Sequence, residues 1–501
     1  MRTVRGRTDR VVVVGAGLSG LAAALHLAGQ GREVVVVERE PVPGGRAGRL
    51  DVGGYRLDTG PTVLTMPDIV EETLNAVGDS IGGRMELCRL APVYDARFAD
   101  GSRLAVHSDV DAMTDAVRDF AGAGEAVRYL RLREWLTRLY RAEYDRFIAA
   151  NTDSPLSLLT PQLARLVAMG GFDSLGRQVG RFLRDERLRR VFSFQSLYAG
   201  VAPQRALAVY GVISYMDTVA GVFFPRGGVR ALPDTLTAAA RDAGVRFEFG
   251  AAVTALERRG RRVTAVVTDR GDRFPCDAVV LTTEPHVAYR LLGRAPLRPL
   301  PLRAAPSAFV VHLGLPSGAD TGHHVLSFGA AWRETFRELI DRGRTMTDPS
   351  LLVTRPTATD PALAPEGRDL LSVLAPVPNL ARGRIDWDTV GPAYAEQVLA
   401  ETERRLLPGL TSSAEVLHTT TPADWARAGL AAGTPFSYAH SLAQTGPFRP
   451  GNFPRSTGNV VLAGAGTVPG VGVPTALISG RLAADRITGA TAQKRTLVGA
   501  R

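Results

Sequence analysis

Hydrophobic positions along the chain follow three distinct patterns. Near the start, the β-branched run Val11 to Val14 is followed by glycines and an apolar helical stretch through Leu21, Ala24, Leu25 and Leu27. A second run, Val34 to Val37, comes next, with Gly29 and Gly31 ending the helix between the two. Short unbroken runs of this composition predict strands covered on both faces, as in a parallel sheet. Val245 to Phe249, Ala278 to Thr283 and the run opening at Asn459 repeat the pattern, and a helical stretch to Ala243 precedes the first of them. The second pattern is alternation. Tyr94, Ala96 and Phe98 lead into Ala99-Asp-Gly101, with Leu104 and Val106 beyond, which predicts a hairpin. Val253, Ala255 and Leu256, then Val263 to Thr268 after the basic turn Arg258 to Arg262, predict a short β insert. Ala308 to Leu313 and Leu370 to Ala375 are further strand candidates. The third pattern is helical and fills most of residues 113 to 223, punctuated by Pro155, Pro161 and Pro203. No internal repeat is present.

Composition narrows the class. The 501 residues exceed what one core needs, so two or more domains are expected. Hydrophobic residues at 45% and charged residues at 22% exclude a mostly disordered chain. Cys88 and Cys276 lie far apart, which excludes a disulfide scaffold and a cysteine-based zinc site and fits a reducing, cytoplasmic compartment. The net charge of +10 comes almost wholly from arginine, Lys494 being the only lysine. No arginine run interleaves with aromatics, so nucleic acid is not the expected partner. A basic surface suits an anionic membrane face.

Arg2, Arg5, Arg7 and Arg10 ahead of the apolar residues Val11 to Gly29 imitate a signal peptide or anchor. Gly15, Gly17, Ser19 and Gly20 break that run, His26 sits inside it, and the second strand ends in Glu38. No stretch approaches the ~20 continuous apolar residues of a spanning helix. Neither a leader nor a transmembrane helix is expected.

The N-terminal series is strand, glycine turn, helix, strand, acid. In Gly15-x-Gly17-x-x-Gly20, the first glycine makes the tight turn. Gly17 lets a pyrophosphate reach the backbone, and Gly20 lets helix and strand pack closely. The helix N-terminus offers unpaired N–H groups, and Glu38 is placed to accept hydrogen bonds from a ribose diol. This is a dinucleotide site. Arg39 and then Gly44-Gly45-Arg46 follow directly, and Asp58-Thr59-Gly60-Pro61-Thr62 comes soon after. Two glycines without side chains beside one fixed guanidinium suit a dianion. A plain surface loop rich in glycine and arginine is the alternative. At the other end, Gly464-Ala-Gly466-Thr467-Val468-Pro469-Gly470-Val-Gly472-Val473-Pro474 forms a second glycine turn between an apolar strand and an Ala-rich helix.

The Gly-Gly-Arg segment and the following Asp-x-Gly-Pro resemble the flavin superfamily of amine oxidases, Rab GDP-dissociation inhibitors and carotenoid desaturases. The middle blocks, Phe192-Ser-Phe194-Gln-Ser-Leu-Tyr198-Ala-Gly200, Phe223-Phe224-Pro225-Arg226-Gly227-Gly228 and Phe448-Arg449-Pro450, are similar to those of carotenoid desaturases, the bacterial phytoene desaturases in particular. His323-His324, the Leu374 to Pro378 block and Phe436-Ser437 recur in the same family order. The likeness runs from about residue 10 to 490.

That resemblance implies FAD as cofactor. The Gly-Gly-Arg segment would lie along its pyrophosphate, the backbone at Val253 would meet the adenine, and the C-terminal turn would close the isoalloxazine end. It implies an α/β fold: a Rossmann-like FAD-binding domain (1–73, 224–290 and 456–501), an α+β substrate domain (74–112 and 291–455) and a helical membrane-contact subdomain (113–223). The implied reaction is desaturation of phytoene to lycopene or intermediate carotenes, with hydride passing from polyene to flavin. A sibling acting on another carotenoid, or a non-catalytic lipid-binding protein of the same fold, is the alternative. Such chemistry needs no metal, and none is expected. No second nucleotide module is present, so quinone or oxygen is expected to reoxidise the flavin.

The chain departs from the family in three places. Val468 and Gly451 stand where histidines are usual, and Pro155 and Leu158 precede Pro161-Gln162-Leu163 where some members carry an acid and an arginine. These departures leave the number of desaturation steps, the carotenoid and the catalytic base open. His323 and His324 are candidates for lining the site.

A long hydrocarbon must come from a bilayer, since each CH₂ left in water costs about 0.8 kcal/mol. Residues 155 to 172 are expected to form an interfacial helix: Leu156, Leu159, Leu163, Leu166 and Val167 fall at helical spacing, with Arg165 within and arginines following. An ordinary core helix is the alternative.

Overall fold

The computed structural model describes residues 1–296, 298 and 300–490. A five-stranded parallel sheet gathers distant parts of the chain in the order Arg246–Glu248, Glu33–Val37, Arg10–Val14, Ala278–Leu281 and Val460–Leu462. Its valine runs are unbroken because both faces are covered. Val11, Val13, Val34, Val36 and Val280 pack under the helices Leu18–Ala28, Ala231–Asp242 and Val473–Thr488. Val12, Val14, Val35, Val37 and Val279 pack on the other face against Val263 and Val266 of a three-stranded antiparallel layer. That layer comprises Val253–Arg259, Arg262–Thr268 and Arg273–Pro275. Successive side chains point to opposite faces, so each valine of the run is buried on one side or the other.

A seven-stranded mixed sheet forms the second layer. Its order is Glu415–Thr420, Ser307–Pro316, Arg368–Val377, Leu351–Thr354, His324–Phe328, Tyr94–Phe98 and Arg103–Val106. The expected hairpin is the last pair, and His324–Phe328 runs parallel to its first strand. One face packs on Trp387 and Tyr394 of the helix Trp387–Arg405. The other joins the helical segment.

That segment begins with Val110–Ala121 and Ala123–Glu143, passes a turn in π-helical register at Tyr144–Ile148, and later includes Leu175–Phe182, Glu186–Val191 and Gly211–Thr218. The single helix expected over 155 to 172 does not form. A 3₁₀ turn at Pro155–Leu158 and a helix at Pro161–Ala168 replace it. The residue before a proline is pushed out of the helical region, and Thr160 accordingly sits at φ −131°, ψ 160°. Its hydroxyl accepts a bond from the Leu163 amide (3.3 Å), capping the second piece. No helix among the described residues is long and apolar enough to cross a membrane.

Candidate active site

The first strand ends where Gly15 turns at φ +107°, a conformation that favours glycine. A Cβ on Gly20 would overlap the Gly15 carbonyl, so the helix starts flush against the strand. Gly17 stands at the helix N-cap with no side-chain bond to the first turn, leaving N–H groups free toward the cavity. The nearest heavy atom a Cβ there would meet is Gly45 Cα, 4.0 Å away. Gly45 belongs to the second glycine loop, which is zipped to the first by the Gly44 amide donating to the Ala16 carbonyl (2.9 Å).

Glu38 fixes both loops. Its buried carboxylate accepts from the Ala16 amide (2.6 Å) and the Glu40 amide (2.9 Å), and each oxygen keeps a further lone pair. Arg39 reaches across to the Ala428 carbonyl (2.7 Å). Arg46 pairs with Glu284, while Arg46 Nε and Glu284 Oε2 are buried with no hydrogen-bond partner among the described residues. Asp58 accepts from the Val229 (2.7 Å) and Arg230 (3.1 Å) amides, and burial pushes its carboxyl up to about 6. It thus holds the Arg226-Gly-Gly turn against the nucleotide loops.

The C-terminal turn is built similarly. The amide of Gly464 (φ +113°) donates to Ser479 Oγ (3.0 Å), whose hydroxyl donates to the Val468 carbonyl (2.8 Å). Gly472 (φ +131°) then opens the helix Val473–Thr488, again without a side-chain cap. A Cβ on Gly480 would overlap the Ser19 carbonyl, so this helix and the first glycine helix pack backbone to backbone.

These elements enclose a cavity of about 1500 Å³. Of the residues expected at a cofactor site, Gly15, Gly17, Ser19, Glu38, Arg39, Gly44, Gly45, Arg46, Gly60, Pro61, Thr62, Val253, Gly464, Gly472, Val473 and Pro474 line it. Gly20 and Gly466 do not. Gly20 is the contact with the Gly15 carbonyl, and Gly466 packs against the Pro285 ring. His323 and His324 also lie outside the wall, a correction to the expectation that they could line it. Their Nδ1 atoms are bonded to Thr359 Oγ1 (2.7 Å) and Thr354 Oγ1 (3.0 Å), and burial holds the His323 imidazole down at about 3.

Beyond the glycine loops the wall turns apolar, through Val212, Ile213, Leu352 and Leu374 to Leu163, Leu166, Phe172, Leu442 and Phe448. Phe172, Leu442 and Phe448 are exposed, so the cavity reaches the surface there. Polar groups not foreseen also enter it. Asp217 accepts from the Tyr94 hydroxyl (3.1 Å) and Gln195 Nε2 (3.3 Å), and burial pushes it up to about 7. Glu143, Tyr210 and His440 line the wall as well. Asp58, Tyr198 and Arg449 stand in blocks already conspicuous in the sequence. Asp217 and Glu143 carry no local signal.

Two uncapped helix N-termini and a cradle of glycines meet one buried arginine nitrogen without a partner. That set fits an extended dinucleotide diphosphate. Among the described residues no cluster of side chains could hold a metal ion.

Residues 18–488 match the model of the flavin containing amine oxidoreductases. The chain belongs to that family. Within it, the chain groups with the carotenoid desaturases. The phytoene dehydrogenase of Streptomyces griseus is 63% identical over 492 residues, spanning 98% of this chain and 97% of that protein. The zeta-carotene-forming phytoene desaturase of Myxococcus xanthus is 38% identical over 486 residues (95% and 93%). Among solved structures, an oxidoreductase from Methanosarcina mazei has a TM-score of 0.61 at 18% identity, covering 94% of this chain and 98% of that one. The cyclohexylamine oxidase of Brevibacterium oxydans has a TM-score of 0.58 at 18% identity (96% and 99%). These last two show the fold: the mixed α/β architecture of amine-oxidase-like flavoenzymes. The chain is an FAD-dependent oxidoreductase.

Proposed function

We propose that this flavoenzyme desaturates phytoene to lycopene or intermediate carotenes in carotenoid biosynthesis. The observation that carries the reading is continuity: the nucleotide cradle and a long apolar wall belong to one cavity of about 1500 Å³. Single-ligand pockets run from about 300 to 1,000 Å³, so this one has room for a dinucleotide and a hydrocarbon in series. Relatives named phytoene dehydrogenase and phytoene desaturase support the choice of substrate.

In this reading Gly17, Gly44, Gly45 and the first helix N-terminus hold the FAD pyrophosphate, with Arg46 beside it. Glu38 takes the ribose, the backbone at Val253 meets the adenine, and Gly472 to Pro474 close the ring end. FAD supplies the hydride acceptor. The chain's own part is to exclude water, to align the polyene along the apolar wall and to handle the proton that leaves with each hydride.

We further assign the chain to a discontinuous FAD-binding domain (1–73, 224–290, 456–501), a substrate domain (74–112, 291–455) and a helical membrane-contact subdomain (113–223). Residues 491–501 of the first lie outside the described residues. The five-stranded sheet drawing on three chain segments supports this division. Leu156, Leu159, Val167 and Phe172 are exposed near the cavity opening, which supports peripheral attachment to a membrane surface.

The deciding experiment incubates the flavin-loaded protein anaerobically with phytoene and membranes, then analyses pigments. Coloured carotenes with bleaching of the flavin are expected. Phytoene returned unchanged, while a hydroxylated or shorter carotenoid reacts, would overturn the substrate assignment.

A further inference from the structure

Among the described residues six acids line the cavity: Glu38, Glu40, Asp58, Glu143, Asp217 and Glu284. Five of them have work in holding the protein together. Glu38 and Asp58 accept backbone amides, Asp217 accepts from Tyr94, Glu284 pairs with Arg46, and Glu40 pairs with Arg39. Glu143 differs. Its Oε1 is buried with no hydrogen-bond partner among the described residues, and the residue lines the cavity.

A buried carboxyl oxygen without a donor is costly to the fold. Its place in the chain adds a second, independent observation. Glu143 is the last residue of the helix Ala123–Glu143, and the next five residues are wound in π register. Single π turns inside α-helices recur at functional sites. This one is tied to the cofactor side, since Arg481 Nη2, on the helix opened by Gly472, donates to the Ala149 carbonyl (2.9 Å). Tyr210 lies near Glu143, its hydroxyl bonded to His440 Nδ1 (3.1 Å) and Thr445 Oγ1 (2.5 Å).

We propose that Glu143 is the proton acceptor of the desaturation. The proposal rests on the function argued above. One C–H bond of the polyene loses its hydrogen with the electron pair, as hydride to the flavin. The neighbouring C–H bond breaks the other way: its electrons become the new C=C, and its proton forms an O–H bond on the Glu143 carboxylate. The proton then leaves to solvent, and atoms and charge balance.

Burial holds the Glu143 carboxyl well above the usual range, which makes its ionised form a stronger base. Activity should therefore fall as the pH drops through that raised value. Tyr140 and Tyr144 stand on its own helix and turn, Tyr215 stacks on Tyr140, and Tyr210 lies close enough to feel its charge. His440 and Arg449 lie beyond Tyr210, while Arg141, Asp68 and Arg133 lie around Tyr215. Burial keeps His440 neutral in the working range, but Asp217 and Asp58 titrate in the same cavity, so the limb is assigned by its displacement in Glu143→Asp.

The test uses flavin-loaded wild type, Glu143→Gln and Glu143→Asp with phytoene in liposomes. Glu143→Gln should lower kcat on the order of 10²-fold, with flavin content and KM unchanged. Its Tm should be equal or higher, since an unpaired buried carboxyl is replaced by a neutral group. Glu143→Asp should keep an intermediate rate with a displaced acid limb. Unchanged kcat in Glu143→Gln overturns the proposal alone. So does a loss of kcat that merely parallels a fall in Tm and flavin content, the mark of a structural role. A wild type that leaves phytoene unconverted overturns the function and this proposal together.

Discussion

Arg449 Nη2 donates to the Ala465 carbonyl at 2.6 Å, and its Nε donates to the Thr467 carbonyl at 2.9 Å. One fully buried guanidinium thus props the C-terminal glycine turn from beneath, and burial, with a smaller push from Arg298, pulls its value down to about 10. Arg449→Leu leaves two buried carbonyls without donors. It is expected to cost about 3 kcal/mol of stability and to lower the flavin bound per chain. Arg449→Lys, a point charge without the fork, should fall between. Urea unfolding and flavin absorbance check both outcomes.

Two glycines three positions apart should behave oppositely. A methyl on Gly17 meets nothing closer than 4.0 Å, so Gly17→Ala folds normally, yet its methyl occupies the phosphate side of the cradle. Flavin affinity is expected to drop at least about tenfold, equivalent to about 1.4 kcal/mol. Gly20→Ala instead drives a methyl into the Gly15 carbonyl and should yield little folded protein. Equal flavin binding by wild type and Gly17→Ala would remove Gly17 from the phosphate site.

Near the cavity opening, Leu156 is 74% exposed, Leu159 71%, Val167 59% and Phe172 45%. Replacing all four with serine should leave Tm unchanged and cut sedimentation with anionic liposomes by at least about tenfold, since each apolar side chain buried contributes about 1.5–3 kcal/mol. Leu166 is buried and is the control: Leu166→Ser should reduce Tm instead. Unaltered liposome binding by the fourfold variant would locate the membrane face elsewhere.

Asp217 sets a pH signature. Its folded value is raised by burial from 3.8 to about 7, so the folded state keeps its proton longer than the unfolded chain does. The stability linked to that proton is full below about 4 and is lost as the pH rises through about 7. Asp217→Asn has no such loss. Relative to wild type, it is expected to gain on the order of 2 kcal/mol between pH 5 and 8. A constant gap across that range in urea unfolding would mean that the carboxyl is ionised in the fold throughout.

The sequence made the cofactor end legible because glycines there answer to backbone geometry, which local spacing reports directly. Gly15, Gly44 and Gly472 take up left-handed φ values, and Gly20 and Gly60 touch carbonyl oxygens. Val11 to Val14 was equally clear, since a run buried on both faces admits little but β-branched residues. The hydrocarbon end was not legible. Its wall collects Tyr94, Glu143, Asp217, Leu352 and Phe448 from remote segments, and no periodicity links them. The helix expected over 155 to 172 failed for a local reason, the restriction that Pro161 places on Thr160. His323 and His324 read as site candidates but are spent on threonine hydroxyls beside a sheet strand.

The central sheet inserts Ala278–Leu281 between Arg10–Val14 and Val460–Leu462, so its edge strand is supplied by a segment far along the chain from its neighbour. The C-terminal glycine turn and the helix Val473–Thr488 follow directly from that strand, so the cradle is whole only once the strand has docked. In that sense the late strand is the latch of the cradle: Gly464 and Gly472, which line the cavity, are set in place by its docking beside Ala278–Leu281.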